Sequence, residues 1–285
     1  MTDKIKILYI MGRGRSGSTF VENDLAHRSG WPLLGESRLW PLVYRDNHNC
    51  SCGKPKTACP FWATAIDSLP NPDATKAAFR RMCRRGFLIS LLAPNALARR
   101  IYADDITAVT NFYGHLAQTH DIDTLIDSSK NPAFGRVLAL SDALDVQFVH
   151  VVRNPLGVAY SWKRQRNSGS EHGLHKQRKS IAMAALEWTG SNLLSSISKW
   201  RSTGDHVTLR YEDLGDPAVL ADLTPSGQIP VDTATQHAMS GNPSAASRHR
   251  EFRLDEGWRD GLTSFEKALC LIISGPVYLF YRGKG

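Results

Sequence analysis

The chain has 285 residues, 42% of them hydrophobic and 22% charged, and 35 Lys and Arg stand against 27 Asp and Glu, a formal net charge of +8. That length and balance exclude a disordered or collagen-like chain and fit one large α/β domain over residues 1–285 with room for a helical insertion. The basic surplus draws anions, whether nucleotide, acidic glycan or nucleic acid, and does not choose among them.

Residues 4–11, KIKILYIM, are a short apolar run ending at glycine, the pattern of a buried parallel strand. The run is too short for a secretory h-region, so a cytoplasmic protein without a membrane anchor is expected. Phe20, Val21 and Leu25 follow at helical spacing, and residues 32–34 supply a second short strand. From about 41 to 120 the rhythm changes to a cysteine loop, a Pro70-Asn71-Pro72-Asp73 turn, and basic helical stretches at Lys76–Arg85 and Leu97–Tyr102. This reads as a helical insertion with solvated arginine-rich faces.

The α/β rhythm resumes with strand 124–126, helix 132–144, strand 146–152, a helix from Pro155 to about Arg166, helix 181–200 and strand 206–210. Repeated β–α–β order predicts a three-layer α/β/α fold with a parallel sheet. Residues 163–180, KRQRNSGSEHGLHKQRKS, read as a mobile polar loop. Leu269–Tyr281, interrupted by Gly275-Pro276, reads as a buried helix followed by a packed tail, too short to span a bilayer.

Cys50, Cys52 and Cys59 cluster after His48. Their Cys-x-Cys-x6-Cys order lacks the paired spacing of zinc sites. Plain thiols or a local disulfide in a small loop, and no metal, are expected.

The first turn reads Gly12-Arg13-Gly14-Arg15-Ser16-Gly17-Ser18-Thr19. Small residues let backbone N–H groups converge and the next helix adds its positive end, so the turn suits phosphate or sulfate. Gly12-x-Gly14-x-x-Gly17 fits a dinucleotide fingerprint, with Glu36 near the ribose-binding position. Gly12 and Gly17 also have Walker A spacing, but Ser18 stands where the lysine of a triphosphate cradle belongs. A third reading moves the cation upstream to Arg15. In this form the loop resembles the 5′-phosphosulfate loop of sulfotransferases, a basic residue followed by Ser-Gly-[Ser/Thr]-[Ser/Thr]. The arginine version is similar to the carbohydrate and tyrosylprotein branch.

The strand through Phe148–Val152 ends in Arg153-Asn154-Pro155, and Ser161 follows eight residues after Arg153. Strand end and second helical turn can then face one ligand at the carboxyl edge of the sheet. An arginine fork plus a hydroxyl suits a phosphomonoester. Arg153 and Ser161 match the strand–R-[ND]-P–x6–S motif that binds the 3′-phosphate in the same family.

The resemblance implies a P-loop NTPase-like fold and 3′-phosphoadenosine 5′-phosphosulfate as donor, with 3′,5′-adenosine bisphosphate as product. It implies donor contacts from Arg13, Gly14, Arg15, Ser16, Gly17, Ser18, Thr19, Arg153 and Ser161. Arg248 stands where bacterial members place an arginine after Gly-Asn-Pro, here displaced by Ser244-Ala245-Ala246. Glu36, after Gly35, matches the general base of the tyrosylprotein branch. Lys130, after strand 124–126, matches a lysine that stabilises the transition state together with Arg15, and Asp127 is placed to orient it. Tyr211-Glu212-Asp213-Leu214 reads as structural, and His237–Pro243 with Asp255 and Trp258 as the segment that closes over the nucleotide. His150, inside an apolar strand, reads as a core histidine. The expected activity is sulfuryl transfer to a carbohydrate, lipid or small-molecule hydroxyl, with no nucleic-acid partner. An ATP-dependent phosphotransferase and a non-catalytic nucleotide-binding protein remain open as alternatives.

Overall fold

A computed structural model describes residues 4–44, 49–84, 90–164, 178–202, 204–224, 237–239 and 251–282. The chain opens with β1 (Ile5–Gly12), α1 (Ser18–Ser29) and β2 (Leu33–Gly35). The insertion follows as α2 (Trp40–Val43), α3 (Pro60–Asp67), α4 (Pro72–Met82), α5 (Asn95–Ile101) and α6 (Ala103–His120). Then come β3 (Thr124–Lys130), α7 (Pro132–Ala139), β4 (Leu144–Val152), α8 (Pro155–Lys163), α9 (Ile181–Arg201) and β5 (His206–Arg210). Two helices, α10 (Trp258–Gly261) and α11 (Ser264–Arg282), follow.

The strands form one sheet in the order β2-β3-β1-β4-β5, and every pairing is parallel. Parallel strands need crossovers, and the whole insertion is housed in the one between the neighbours β2 and β3. β1 is central and buried on both faces, which is why it reads as an unbroken apolar run. Its side chains alternate between two cores. Ile7, Tyr9 and Met11 pack with Trp40, Phe79, Phe112, Phe134 and Phe148 on the insertion side. Leu8 and Ile10 pack with Val21 and Leu25 of α1 on the other side. Each fully buried side chain of this size stabilises the fold by about 1.5–3 kcal/mol. A third cluster joins Leu156 and Val158 of α8, Trp188 of α9 and Tyr281 of α11.

The expected three-layer α/β/α fold is therefore observed, with differences at the element ends. β3 runs to Lys130 because Asp127 and Ser129 are buried polar residues held by internal bonds. α7 stops at Ala139, where the Ser141 hydroxyl accepts from the Ala143 N–H and starts the turn into β4. The expected break at Gly275-Pro276 does not occur, because α11 runs through Pro276. The missing N–H would have served the carbonyl of Ile272, a residue 77% exposed, so the proline falls on a face of the helix open to solvent. Nor is α11 a buried helix, since Phe265 and Leu279 are exposed as well. None of the described helices is long and apolar enough to cross a membrane. The loop expected at 163–180 falls largely outside the described residues.

Candidate functional site

The carboxyl ends of β1, β3 and β4 open into a cleft of about 1260 Å³. Among its lining residues are Gly12–Arg15, Gly17–Thr19, Glu36, Lys130, Arg153 and Ser161. Residues from four separate stretches of chain thus meet at one sheet edge, where α/β folds bind ligands.

The loop after β1 turns on a bond from the Ser16 N–H to the Arg13 carbonyl at 3.1 Å. Gly17 caps α1 in the left-handed region, φ 93°, and no side chain caps the helix start. Ser16 is buried and its hydroxyl has no partner among the described residues. A bare helix N-terminus beside an unpartnered buried donor fits an anion. Only glycine serves at two points. A Cβ on Gly12 would lie 2.5 Å from the Val151 carbonyl oxygen, and one on Gly17 would lie 2.5 Å from the Tyr211 ring.

Arg15 bridges the two expected phosphate sites. Its Nε donates to Ser161 Oγ at 2.9 Å, and its own carbonyl accepts from Arg153 at 3.1 Å. Arg15 adopts φ 80°, a strained value for a residue with a side chain, and the Arg153 bond helps to hold it there. Burial, then the like charges of Arg153 and Arg164, lower the Arg15 pKa from its usual value. Three guanidinium groups facing one cleft repel one another unless a multiply charged anion sits among them.

Arg153 itself is nearly buried. It pairs with Asp255, Nη2 to Oδ2 at 3.1 Å and to the Asp255 carbonyl at 3.0 Å, and lies over the Tyr211 ring at 4.1 Å. Burial disfavours the Asp255 carboxylate, but the Arg153 partner outweighs it and lowers the pKa. Asn154 caps α8, and Glu212 accepts from the Asn154 N–H at 2.8 Å. Tyr211, in a segment read from sequence as structural, also lines the cleft.

Across the cleft, Glu36 takes Lys130 at 2.9 Å on one oxygen and Arg38 at 3.2 Å on the other. Lys130 has φ 63°, a second strained cation at the same site. Burial opposes its ammonium, but Glu36 and Glu22 outweigh that and raise its pKa. Asp127 does not orient Lys130, contrary to the sequence reading. It is fully buried and accepts from Ser37, Tyr113 and the Ser129 N–H, which ties the Glu36 turn to the end of β3.

Other expectations separate. Arg13 lines the cleft, but its guanidinium pairs with Glu187 of α9 and packs over Trp162. Arg248 lies outside the described residues, as do Ser240–Pro243. His150 Nε2 donates to Asn192 Oδ1 at 2.9 Å in the core, and burial lowers its pKa to about 4. It is a core histidine, as expected. Sequence reasoning missed Glu22, a fully buried α1 carboxyl facing Lys130 that burial pushes up to about 7. Its signal was only a glutamate in the first turns after an anion loop.

Of the two expected cysteine states, the plain thiols are observed. No disulfide joins Cys50, Cys52 and Cys59, and a fourth group, His237, stands with them; His48 lies outside the described residues. Local spacing could not reveal a partner so distant in the chain.

No protein-family model matches the sequence, and no curated protein matches it. Among solved structures, the chain is similar to the sulfotransferase domain of the olefin synthase of Synechococcus PCC 7002, at 16% identity and TM-score 0.39 over 95% of this chain and 94% of that one. It is also similar to the sulfotransferase domain of the curacin biosynthetic pathway, at 19% identity and TM-score 0.46 over 95% of this chain and 98% of that one.

Proposed function

We propose that the chain is a sulfotransferase that moves the sulfuryl group of 3′-phosphoadenosine 5′-phosphosulfate to an acceptor hydroxyl. The observation that carries this reading is the direct bond from Arg15 to Ser161, which fuses a loop for one anion with a second anion site on another strand. A donor phosphorylated at both ends of its ribose needs such a pair, and a nicotinamide or triphosphate ligand does not.

In this reading the loop amides and the hydroxyls of Ser16, Ser18 and Thr19 hold the 5′-phosphosulfate, and Arg153 with Ser161 holds the 3′-phosphate. The acceptor oxygen attacks sulfur while the bond from sulfur to the bridging oxygen breaks. Glu36 takes the acceptor proton, and Lys130 and Arg15 stabilise the charge that builds on the leaving phosphate. Arg13 orders the loop through Glu187. The whole chain acts as one catalytic domain, of the arginine-loop type found in the carbohydrate and tyrosylprotein branch. Its acceptor is a carbohydrate, lipid or small-molecule hydroxyl, and it needs neither a nucleic-acid partner nor a catalytic metal.

Titration calorimetry with 3′,5′-adenosine bisphosphate, ATP–Mg²⁺ and NAD⁺ tests the donor class. Tight binding of the bisphosphate alone is expected. Preference for ATP–Mg²⁺ would favour a phosphotransferase, and preference for NAD⁺ a dehydrogenase.

A further inference from the structure

Away from the cleft, four potential ligands converge beside the insertion. The sulfurs of Cys50, Cys52 and Cys59 and a ring nitrogen of His237 all lie within 4.8 Å of one another. Cys52 and Cys59 sulfurs are 3.7 Å apart, and His237 Nδ1 lies 3.3 Å from Cys59 and 3.8 Å from Cys50. A disulfide would need about 2.05 Å between sulfurs. A tetrahedral ion with bonds of about 2.3 Å to sulfur and 2.0 Å to nitrogen needs ligand separations of about 3.5–3.8 Å. The Cys52–Cys59 edge and the two His237 edges, at 3.3–3.8 Å, lie close to the second geometry and far from the first.

The surroundings fit a metal as well. Cys50, Cys59 and His237 are buried and Cys52 is half-buried. His237 is fixed from outside the cluster: Phe61 stacks on its ring at 4.9 Å, and Trp62 Nε1 donates to its carbonyl at 2.5 Å. Ligating histidines are commonly held by such neighbours. Three thiolates and one imidazole around a divalent ion leave a net charge of −1. Lys56, fully buried within electrostatic reach of all three sulfurs, supplies the opposite charge, and its ammonium donates to the Asn49 carbonyl at 2.7 Å.

We propose that Cys50, Cys52, Cys59 and His237 form a structural zinc site, closed by four protein ligands and separate from the cleft. Soft thiolates in tetrahedral array select Zn²⁺ over hard cations, and a filled set of four leaves no position for substrate. Binding releases the thiol protons, so the site fills above the acidic range. The ion joins the insertion to the segment 237–239, whose Met239 N–H donates to the Leu34 carbonyl of β2 at 2.7 Å. Leu34 lies two residues before Glu36. Zinc therefore clamps a late segment of the chain against the sheet edge that presents Glu36.

Elemental analysis of the untagged full chain tests this directly, with Co²⁺ exchange as the spectroscopic readout. About one zinc per chain is expected, and cobalt should show thiolate charge-transfer bands with intense tetrahedral d–d bands. His237→Ala and Cys59→Ser should each lose most of the metal, whereas His48→Ala should keep it. Because a poor fold would also lose the metal in those variants, chelation of the wild type supplies a second arm. Its thermal midpoint should fall and recover with Zn²⁺ but not with Mg²⁺. Metal-free protein with a mass two hydrogens lighter would overturn the proposal in favour of a Cys52–Cys59 disulfide. Metal retained by His237→Ala and lost by His48→Ala would overturn the ligand assignment. Bisphosphate binding is not among these readouts, so the proposed activity can fail without touching this site.

Discussion

Replacing Arg153 tests the two-phosphate reading with an internal control. Its side chain is 7% exposed and carries five donors. The Arg15 carbonyl at 3.1 Å, the Asp255 carbonyl at 3.0 Å and Asp255 Oδ2 at 3.1 Å account for at most three of them. Two remain for a phosphate. At about 1.5–3 kcal/mol for each hydrogen bond to a charged group, their loss costs about 3–6 kcal/mol of affinity, or roughly 10²–10⁴-fold. Arg153→Ala should therefore weaken 3′,5′-adenosine bisphosphate by that factor in titration calorimetry. The same variant should weaken 5′-AMP, which lacks the 3′-phosphate, by less than about tenfold. Any general damage from the orphaned Asp255 acts on both ligands and cancels in the ratio. Arg153→Lys keeps the charge but loses the fork, so it should fall between. Equal losses for the two nucleotides would refute the assignment of Arg153 to the 3′-phosphate.

Glu36→Gln should lower turnover by about 10²–10⁴-fold while changing bisphosphate affinity by less than about threefold, read by steady-state rates beside calorimetry. Lys130→Met removes a donor to the leaving phosphate and should cut kcat by about 10²–10³-fold. Gly17→Ala meets a positive φ and the Tyr211 ring at 2.5 Å, so stability measured in urea should fall by about 2 kcal/mol or more and bisphosphate binding with it. Glu22 has a folded pKa of about 7 against a usual value of 4.5. The folded state therefore binds more protons between those values, and stability falls as pH rises through that window. Glu22→Gln, which stays neutral, should leave stability little changed at pH 5. At pH 8 it should gain up to about 3 kcal/mol, seen as a higher urea midpoint.

What the sequence made legible was local in the chain. The β1 run, the turn from β1 into α1 and the start of α8 at Pro155 each carry their geometry within a dozen residues, and all three elements fall where they were read. Contacts set by the fold were not legible. Nothing near Arg15 in sequence points to Ser161, and nothing near Cys59 points to His237. Glu22 looked like an ordinary helix glutamate because its burial depends on how α1 packs over β3. Asp127 was assigned to Lys130 by adjacency, whereas pleating turns it to the opposite face, toward Tyr113 of the insertion. Pro276 misled for a similar reason, since its effect on α11 depends on whether the freed carbonyl faces solvent.

The central claim is sulfuryl transfer, and donor turnover tests it most directly. Purified chain would be incubated with ³⁵S-labelled 3′-phosphoadenosine 5′-phosphosulfate and a pool of carbohydrate, lipid and natural-product alcohols, beside Glu36→Gln and a parallel incubation with γ-labelled ATP–Mg²⁺. The account predicts one 3′,5′-adenosine bisphosphate released for each labelled sulfate ester formed, in the wild type only and without added metal. Label transferred from ATP instead, or sulfate transfer undiminished in Glu36→Gln, would contradict it.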